Sequence, residues 1–244
     1  MRTVSTFGLL LAALFMALGI AAAGWLVGAG VTRARLGDRY VTVKGLAERD
    51  VEADLALWPI RFVATGNDLA TVQAQVKQNS DAITAFLKGQ GFGDGEISVE
   101  SPQVTDLFAQ AYRSGPVENR FIISGLVMLR TSNVAGVARA NREAASLITQ
   151  GVVLSSDQGP SRPSYLFTKI AEVKPAMIEE ATRRARESAQ KFAEESDSRL
   201  AGIRFANQGL FEILARDSAP GVSESEQVAK TVRVVTTIDY FLAE

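Results

Sequence analysis

The chain has 244 residues, 26 basic and 27 acidic side chains for a formal net charge of −1, and no histidine or cysteine. Without an imidazole or a thiol it cannot use Ser-His-Asp or Cys-His nucleophilic chemistry, a Cys/His zinc site, a disulfide, thiol redox chemistry or a lipid-modified N-terminal cysteine. Its charge is evenly spread and offers no basic patch for a phosphate backbone, so nucleic acid is not an expected partner.

From Thr3 to Thr32 there is no charged side chain, and Arg2 and Arg33 bound the run. As an α-helix it is about 45 Å long, more than the roughly 30 Å hydrocarbon core of a bilayer. The reading is a transmembrane anchor at 1–32, in contact with the membrane through residues 3–32. A polar linker at 33–39 (RARLGDR) and a domain at 40–244 follow. A cleaved signal peptide is the competing reading, with Ala21-Ala22-Ala23 as its cleavage site. The apolar run from Phe7 through Val27 exceeds the roughly 7–15 residues of a signal-peptide core, which favours the uncleaved anchor. Arg33, Arg35 and Arg39 outnumber Arg2 across the span, a count that leans toward a cytoplasmic domain. Gly24-xxx-Gly28 has the spacing of helix-packing motifs, but Gly and Ala are common in membrane helices and no pairing is inferred.

Val41 and Val43 alternate with Thr42 and Lys44. Past a polar turn at Glu48–Asp50, Val51, Ala53, Leu55 and Leu57 alternate with Glu52 and Asp54, which predicts a half-buried hairpin. The phase then flips to Ile60 and Phe62, and Pro59 at the flip predicts a bulge or an edge position, since proline cannot donate to a ladder. Asn67 or Asp68 caps a helix over 69–90 with Leu69, Val72, Val76, Ile83 and Phe86 inward. The cluster Gly89, Gly91, Gly93 and Gly95 ends it. No Lys-Ser/Thr follows, so a helix stop fits better than a phosphate loop.

Strands are predicted over 96–112 and 120–131, the second apolar on both faces and so interior. A helix over 134–149 turns Val134, Val137, Ala144, Leu147 and Ile148 inward. Short strands follow near 152–156 and 164–169. The third helix starts with Pro175 in its first position and stops at Gly202. Ile178, Ala181, Ala185, Ala189, Phe192 and Ala193 line one face, opposite Glu179–Arg183, Glu180–Arg184 and Glu187–Lys191 pairs at i,i+4. Its alanine row lets it lie close against a sheet. A strand near 207–214, a flexible acidic loop at 217–227 and a last strand with Val232, Val234, Ile238, Tyr240 and Leu242 on one face complete the chain. So many adjacent strands argue for α+β, antiparallel sheets covered by three helices, over a doubly wound parallel sheet.

Two constellations carry possible chemistry. Ser188-Ala-Gln-Lys191 matches the S-x-x-K nucleophile motif, but its companions are missing: there is no S-D-N, and Lys230-Thr231-Val232 only approaches K-T-G. Asp50, Glu52 and Asp54 on one strand face have the oxygens for a hard cation. A solvated face with Lys44 or Arg61 as neighbours is the competing reading, because cation sites draw ligands from a wrapping loop. No catalytic, cofactor-binding or metal residue is assigned, and no cofactor is expected.

The order of these elements resembles the SIMPL-domain family over nearly all of 40–244. Val41-Thr-Val43-Lys-Gly45 with Ala47-Glu48 matches the opening V-x-V-x-G strand and polar turn, and Ile97-Ser98-Val99 the I-x-(S/T) strand. Phe121–Thr131 matches the aromatic-led strand, and Gly151 with Phe167-Thr168 the turn into a short strand with F-T. Ala181, Ala185, Ala189, Lys191 and Ala193 match the long alanine helix, and the final Val-x-Val strand is present. Asp50 lacks the Pro-Asp common after the first turn, and the tyrosine-rich segment is reduced to Tyr112 and Phe121. The resemblance implies a Gram-negative envelope protein without known catalytic residues, linked to stress tolerance, some members forming large homo-oligomers. It implies an inner-membrane, single-pass chain with its C-terminal domain in the periplasm, against the arginine count, to which a large translocated domain is insensitive. Expected partners are further copies of the chain and the membrane, with an envelope protein as a further partner. The alternative is a small-ligand, solute-binding or adaptor module.

Overall fold

The computed structural model describes residues 6–36, 39–109, 117–156, 159, 161–218 and 220–243. Its elements are α1 (Thr6–Leu36), β1 (Tyr40–Glu52), β2 (Leu55–Gly66), α2 (Leu69–Gly89), β3 (Ile97–Val99), β4 (Gln103–Asp106), β5 (Phe121–Thr131), α3 (Val134–Glu143), α4 (Ala145–Thr149), β6 (Ser164–Leu166), α5 (Ile170–Glu195), β7 (Arg199–Asn207), β8 (Phe211–Ala215) and β9 (Ala229–Ala243). The fold is α+β: a four-stranded sheet ordered β1-β9-β7 with β8 also on β9, and a five-stranded sheet ordered β3-β5-β2-β6 with β4 also on β5. Two compact units share the chain: Met1–Ala47, Ile178–Leu210 and Val234–Glu244 form one, Glu48–Met177 and Phe211–Arg233 the other.

In the first unit, α1 is long and apolar enough over Ala13–Gly30 to cross a membrane, a test that a signal sequence also passes. Its large side chains, Phe15 and Trp25 among them, are exposed. The helix continues through Arg33 and Arg35 to Leu36, so most of the expected linker is helical. Ala181, Ala185 and Ala189 of α5 are fully buried. The alanine row brings α5 onto β1 as expected: a Cβ on Gly45 would stand 1.8 Å from the Ala181 carbonyl oxygen. Val43, Ala185, Ala189, Ile238 and Tyr240 form this unit's core. Of the expected i,i+4 pairs Glu180–Arg184 forms at 2.6 Å, while Arg183 pairs with Glu187 at 2.6 Å in place of Glu179 and so takes the carboxylate expected for Lys191.

Three expectations for α5 need correction. The helix starts five residues before Pro175, because Ile170, Val173 and Met177 extend the apolar stripe while proline removes only one hydrogen bond near the end. It stops at Asp197, not Gly202. Asp197 adopts φ 51°, and the Ser198 N–H reaches back to the Ala193 carbonyl at 2.9 Å, a Schellman closure that Asp tolerates. Gly202 lies inside β7. Phe192 is 60% exposed, being about 100° around the helix from Ala193.

In the second unit, Asp68 caps α2, its carboxylate accepting the Thr71 N–H at 2.9 Å. Val72, Val76, Ile83 and Leu87 bury into the core with the even-numbered residues of β2, Ala56 to Ala64. The phase flip therefore falls at Ala53-Asp54, between β1 and β2, not at Pro59; β1 runs unbroken through Glu48–Asp50 and lies in a different sheet from β2, so the expected hairpin does not form. The β2–β5 register runs unbroken from Ala56↔Thr131 to Gly66↔Phe121, so there is no bulge at Pro59. Nor is β2 an edge strand, since it lies between β5 and β6; the proline is tolerated because its nitrogen falls in a gap of the β6-side ladder. The Arg61 and Val63 amides donate away from β5, to Ser161 and Val153, and the Pro59 nitrogen points the same way, beyond Leu57 where β6 stops. The helix expected at 134–149 breaks at Ala144 into α3 and α4, which leaves Leu147 buried and Ile148 59% exposed. Near 152–156 only a single bridge, Phe62↔Leu154, forms. Two strands, β7 and β8, replace the one expected near 207–214.

Candidate functional site

The strand expected over 96–112 is an interrupted edge strand, with residues 110–112 outside the described residues. β3 pairs with β5 from Ile97↔Leu129 to Val99↔Val127, and the Glu100 N–H reaches the Leu126 carbonyl at 3.0 Å. Pairing resumes at Gln103↔Ser124, one residue out of step, so residues 100–102 form a bulge that contains Pro102. Gly125 lies opposite this break. Directly across from it the Phe62 ring occupies the space of a side chain, since a Cβ on Gly125 would fall 2.2 Å from the ring.

A cleft opens at each face of the sheet here. One, of about 390 Å³, has Ile123 and Gly125 as floor, Val99, Pro102 and Val104 as one wall, and Gln73, Val76, Lys77, Ser80 and Asp81 of α2 as the other. The Lys77–Asp81 ion pair, 2.7 Å, sits on its rim. The second, of about 420 Å³, is more polar, with Arg61, Ser101, Gln103 and Ser124 beside Leu126 and Met128. Glu100 and Gly125 line both. The first lining is apolar under a charged rim, the kind of surface that suits an apolar group. The second presents a guanidinium and hydroxyls to a polar group. Volumes of this size lie in the range of small-molecule sites. Asn79 is buried on the same face of α2 as Val76 and Ile83, and its Nδ2 has no acceptor among the described residues.

The edge strand is pinned at both ends. Glu96 accepts the Thr131 hydroxyl and the Gly93 N–H, and those bonds hold its carboxyl below the ordinary range. Asp106 accepts from Arg120 at 2.8 Å, whose guanidinium lies 4.7 Å from the Phe121 ring and 5.5 Å from that of Phe108.

The carboxylates considered from the sequence do not converge. β1 ends at Glu52, so Asp54 lies in the turn, off the strand face. Asp50 accepts the Thr231 hydroxyl at 2.7 Å. Asp54 accepts the Thr168 N–H at 2.6 Å and its hydroxyl at 2.8 Å. These threonines take the place expected for Lys44 or Arg61. Among the described residues no three acidic side chains are grouped as a metal site. Desolvation pushes the Asp54 carboxyl up, but the bonds from Thr168 outweigh it and hold the carboxyl below its ordinary value of 3.8. A carboxylate depressed in the folded state contributes stability that is complete above its unfolded value and lost as pH falls through the folded one. Asp54→Asn should therefore lower the urea midpoint at neutral pH, and its gap to the native chain should close as pH drops below 3.8.

Ser188 donates to the Arg184 carbonyl at 3.0 Å, within its own helix. Lys191, exposed beside it, lines a shallow cleft with Phe192 and Glu195. Lys230, of the K-T-V near match, is fully buried and bonded to the carboxylate and carbonyl of Glu224. Glu224 belongs to the acidic loop at 217–227, which carries a one-turn 3-10 helix at Glu224–Glu226, and Gln227 Nε2 donates to the Asp217 carbonyl at 2.6 Å. The bulge, its clefts and the buried lysine were not foreseen from the sequence. Pro102 inside a strand-like run was the one signal for the bulge.

A family model described as SIMPL, protein of unknown function (DUF541), matches residues 41–240. No curated protein matches the chain. The family match spans both units of the fold and well over half of the sequence, and on it the chain belongs to the SIMPL family.

Proposed function

We propose that the chain is a non-enzymatic SIMPL-domain protein held in the inner membrane by α1, with its domain in the periplasm, and that copies associate there into a homo-oligomer. The observation that carries association is β7, an edge strand of nine residues exposed along almost its whole length. An open edge with apolar side chains is a template for another strand. Tethering in a plane raises the effective concentration of copies without any new contact. The sequence resemblance supports the periplasmic side and a role in envelope stress tolerance. The test is the mass of the full chain in detergent by light scattering. A discrete species of several copies is the expected result, and a monomer at high concentration, with no cross-linked species in membranes, overturns association.

The clefts at the Glu100–Pro102 bulge favour a second reading, a small-ligand or adaptor module. A metabolite that raises the thermal midpoint of the native chain and fails with Gly125→Leu would support it.

A further inference from the structure

In the first unit β7 changes faces in two steps. It pairs with β9 at Leu200↔Leu242, Ile203↔Tyr240 and Phe205↔Asp239, with a register shift at each step. The second shift inserts Arg204, and a bulge of this kind points two consecutive side chains to one side. Ile203 lies opposite Tyr240, which is buried with Ala185 and Ala189. Phe205 lies opposite Asp239, whose carboxylate accepts the Thr42 hydroxyl at 2.8 Å on the face away from α5. The Arg204 guanidinium stacks on the Tyr40 ring at 4.0 Å. Tyr40, Arg204 and Phe205 thus meet on the face that α5 leaves uncovered, with Tyr40 45% and Phe205 57% exposed. Phe241, two residues beyond Asp239, shares it by strand alternation.

This cluster sits where the chain enters the domain. The Leu242 N–H donates to the Arg39 carbonyl at 2.9 Å, and Tyr40 opens β1. From Leu36, the last residue of α1, to Tyr40 the backbone reaches at most about 14 Å.

We propose that this sheet face rests on the surface of the membrane that α1 enters, with Tyr40 and Phe205 among the headgroups and Arg204 against lipid phosphate. The proposal rests on α1 being a retained anchor. Aromatic rings with a polar tip collect at membrane interfaces. Cations beside a membrane span are drawn to anionic lipid, and the sequence places Arg33, Arg35 and Arg39 next to the apolar run. The short tether holds the face over the bilayer, so weak contacts suffice.

The chain has no cysteine, so one introduced cysteine is a unique attachment point. Full-length Thr42→Cys, labelled with a nitroxide and placed in phosphatidylcholine–phosphatidylglycerol nanodiscs, reports this face. Phe192→Cys, exposed on α5, reports a surface away from it. Nickel-chelating lipid should relax the label at position 42 several-fold more than the label at 192, and adding Arg204→Glu and Phe205→Ser should remove the excess. Equal relaxation at both positions overturns the proposal. So does a position-42 label shielded from lipid-borne and water-soluble nickel alike, the result expected if a second copy covers this face. Alkaline extraction separates the failures. A chain that leaves the membrane, or has lost its first residues by mass, refutes the anchor and the proposal together. A chain that stays without excess relaxation refutes the proposal alone.

Discussion

Gly45→Ala is expected to destabilise the chain by about 3 kcal/mol, the upper part of the range for overpacking. The added Cβ would meet the Ala181 carbonyl oxygen at 1.8 Å and the Ala185 nitrogen at 2.7 Å. Both are helix backbone atoms, so no rotamer change relieves the overlap, and α5 must lift from β1. That separation opens voids beneath the buried Ala181, Ala185 and Ala189, whose methyl groups cannot reach across a gap. The thermal midpoint of the full chain should fall by roughly 6 to 12 °C. Gly89→Ala is the matched control. Nothing lies within 4 Å of its Cβ position, and it should change stability by no more than about 1 kcal/mol. Equal effects of the two substitutions would show that the close approach at Gly45 does not hold α5 in place.

The second large effect concerns Lys230 and Glu224. The Lys230 side chain is 0% exposed, and its ammonium meets the Glu224 carboxylate and, at 2.8 Å, the Glu224 carbonyl. Glu224→Ala leaves a buried cation with one neutral acceptor. The expected cost is about 3 kcal/mol, the lower end for breaking a buried pair. The lower end applies because the Glu224 side chain is 36% exposed and water already screens it. Lys230→Met removes the charge, keeps the apolar stem and should be neutral or stabilising. The sign of that difference is the test, read as denaturant midpoints of the two variants. A Lys230→Met variant destabilised as much as Glu224→Ala would mean that the pair itself, not the avoidance of an orphaned charge, stabilises this loop.

What was legible in the sequence was what local chemistry determines. Asp68 could cap α2 because its carboxylate needs only the N–H of Thr71, three residues on. The alanines at four-residue spacing could announce a close helix because bulk is a property of the residue alone. Pro175 and Gly202 misled for the complementary reason. A proline near a helix end costs one hydrogen bond, less than the apolar stripe through Ile170 and Met177 contributes. An aspartate in the left-handed region closed the helix before the glycine was reached. The clefts depend on Gly125 facing Phe62 and on residues 100–102 slipping one place against β5. Both are pairings between distant segments that no window of sequence contains. Lys230 falls in the inward, even-numbered phase of β9 with Val232 and Val234, but nothing near it in the sequence announces what satisfies its charge there. Only the folded loop that brings Glu224 back to it explains its burial.

The two edges of the four-stranded sheet are not equivalent. At β1 the outward carbonyl of Leu46 is already taken by the Arg184 guanidinium at 3.0 Å, so a neighbouring strand finds that acceptor occupied. Among the described residues β7 has no strand on its outer side. Joining through β7 alone brings like to like, a self-complementary contact about a two-fold axis that terminates at a pair. A closed ring or an open fibre needs two different complementary surfaces on each copy. The measured mass therefore reports symmetry as well as number: a dimer points to β7 used twice, and any larger closed species requires a second, unlike surface.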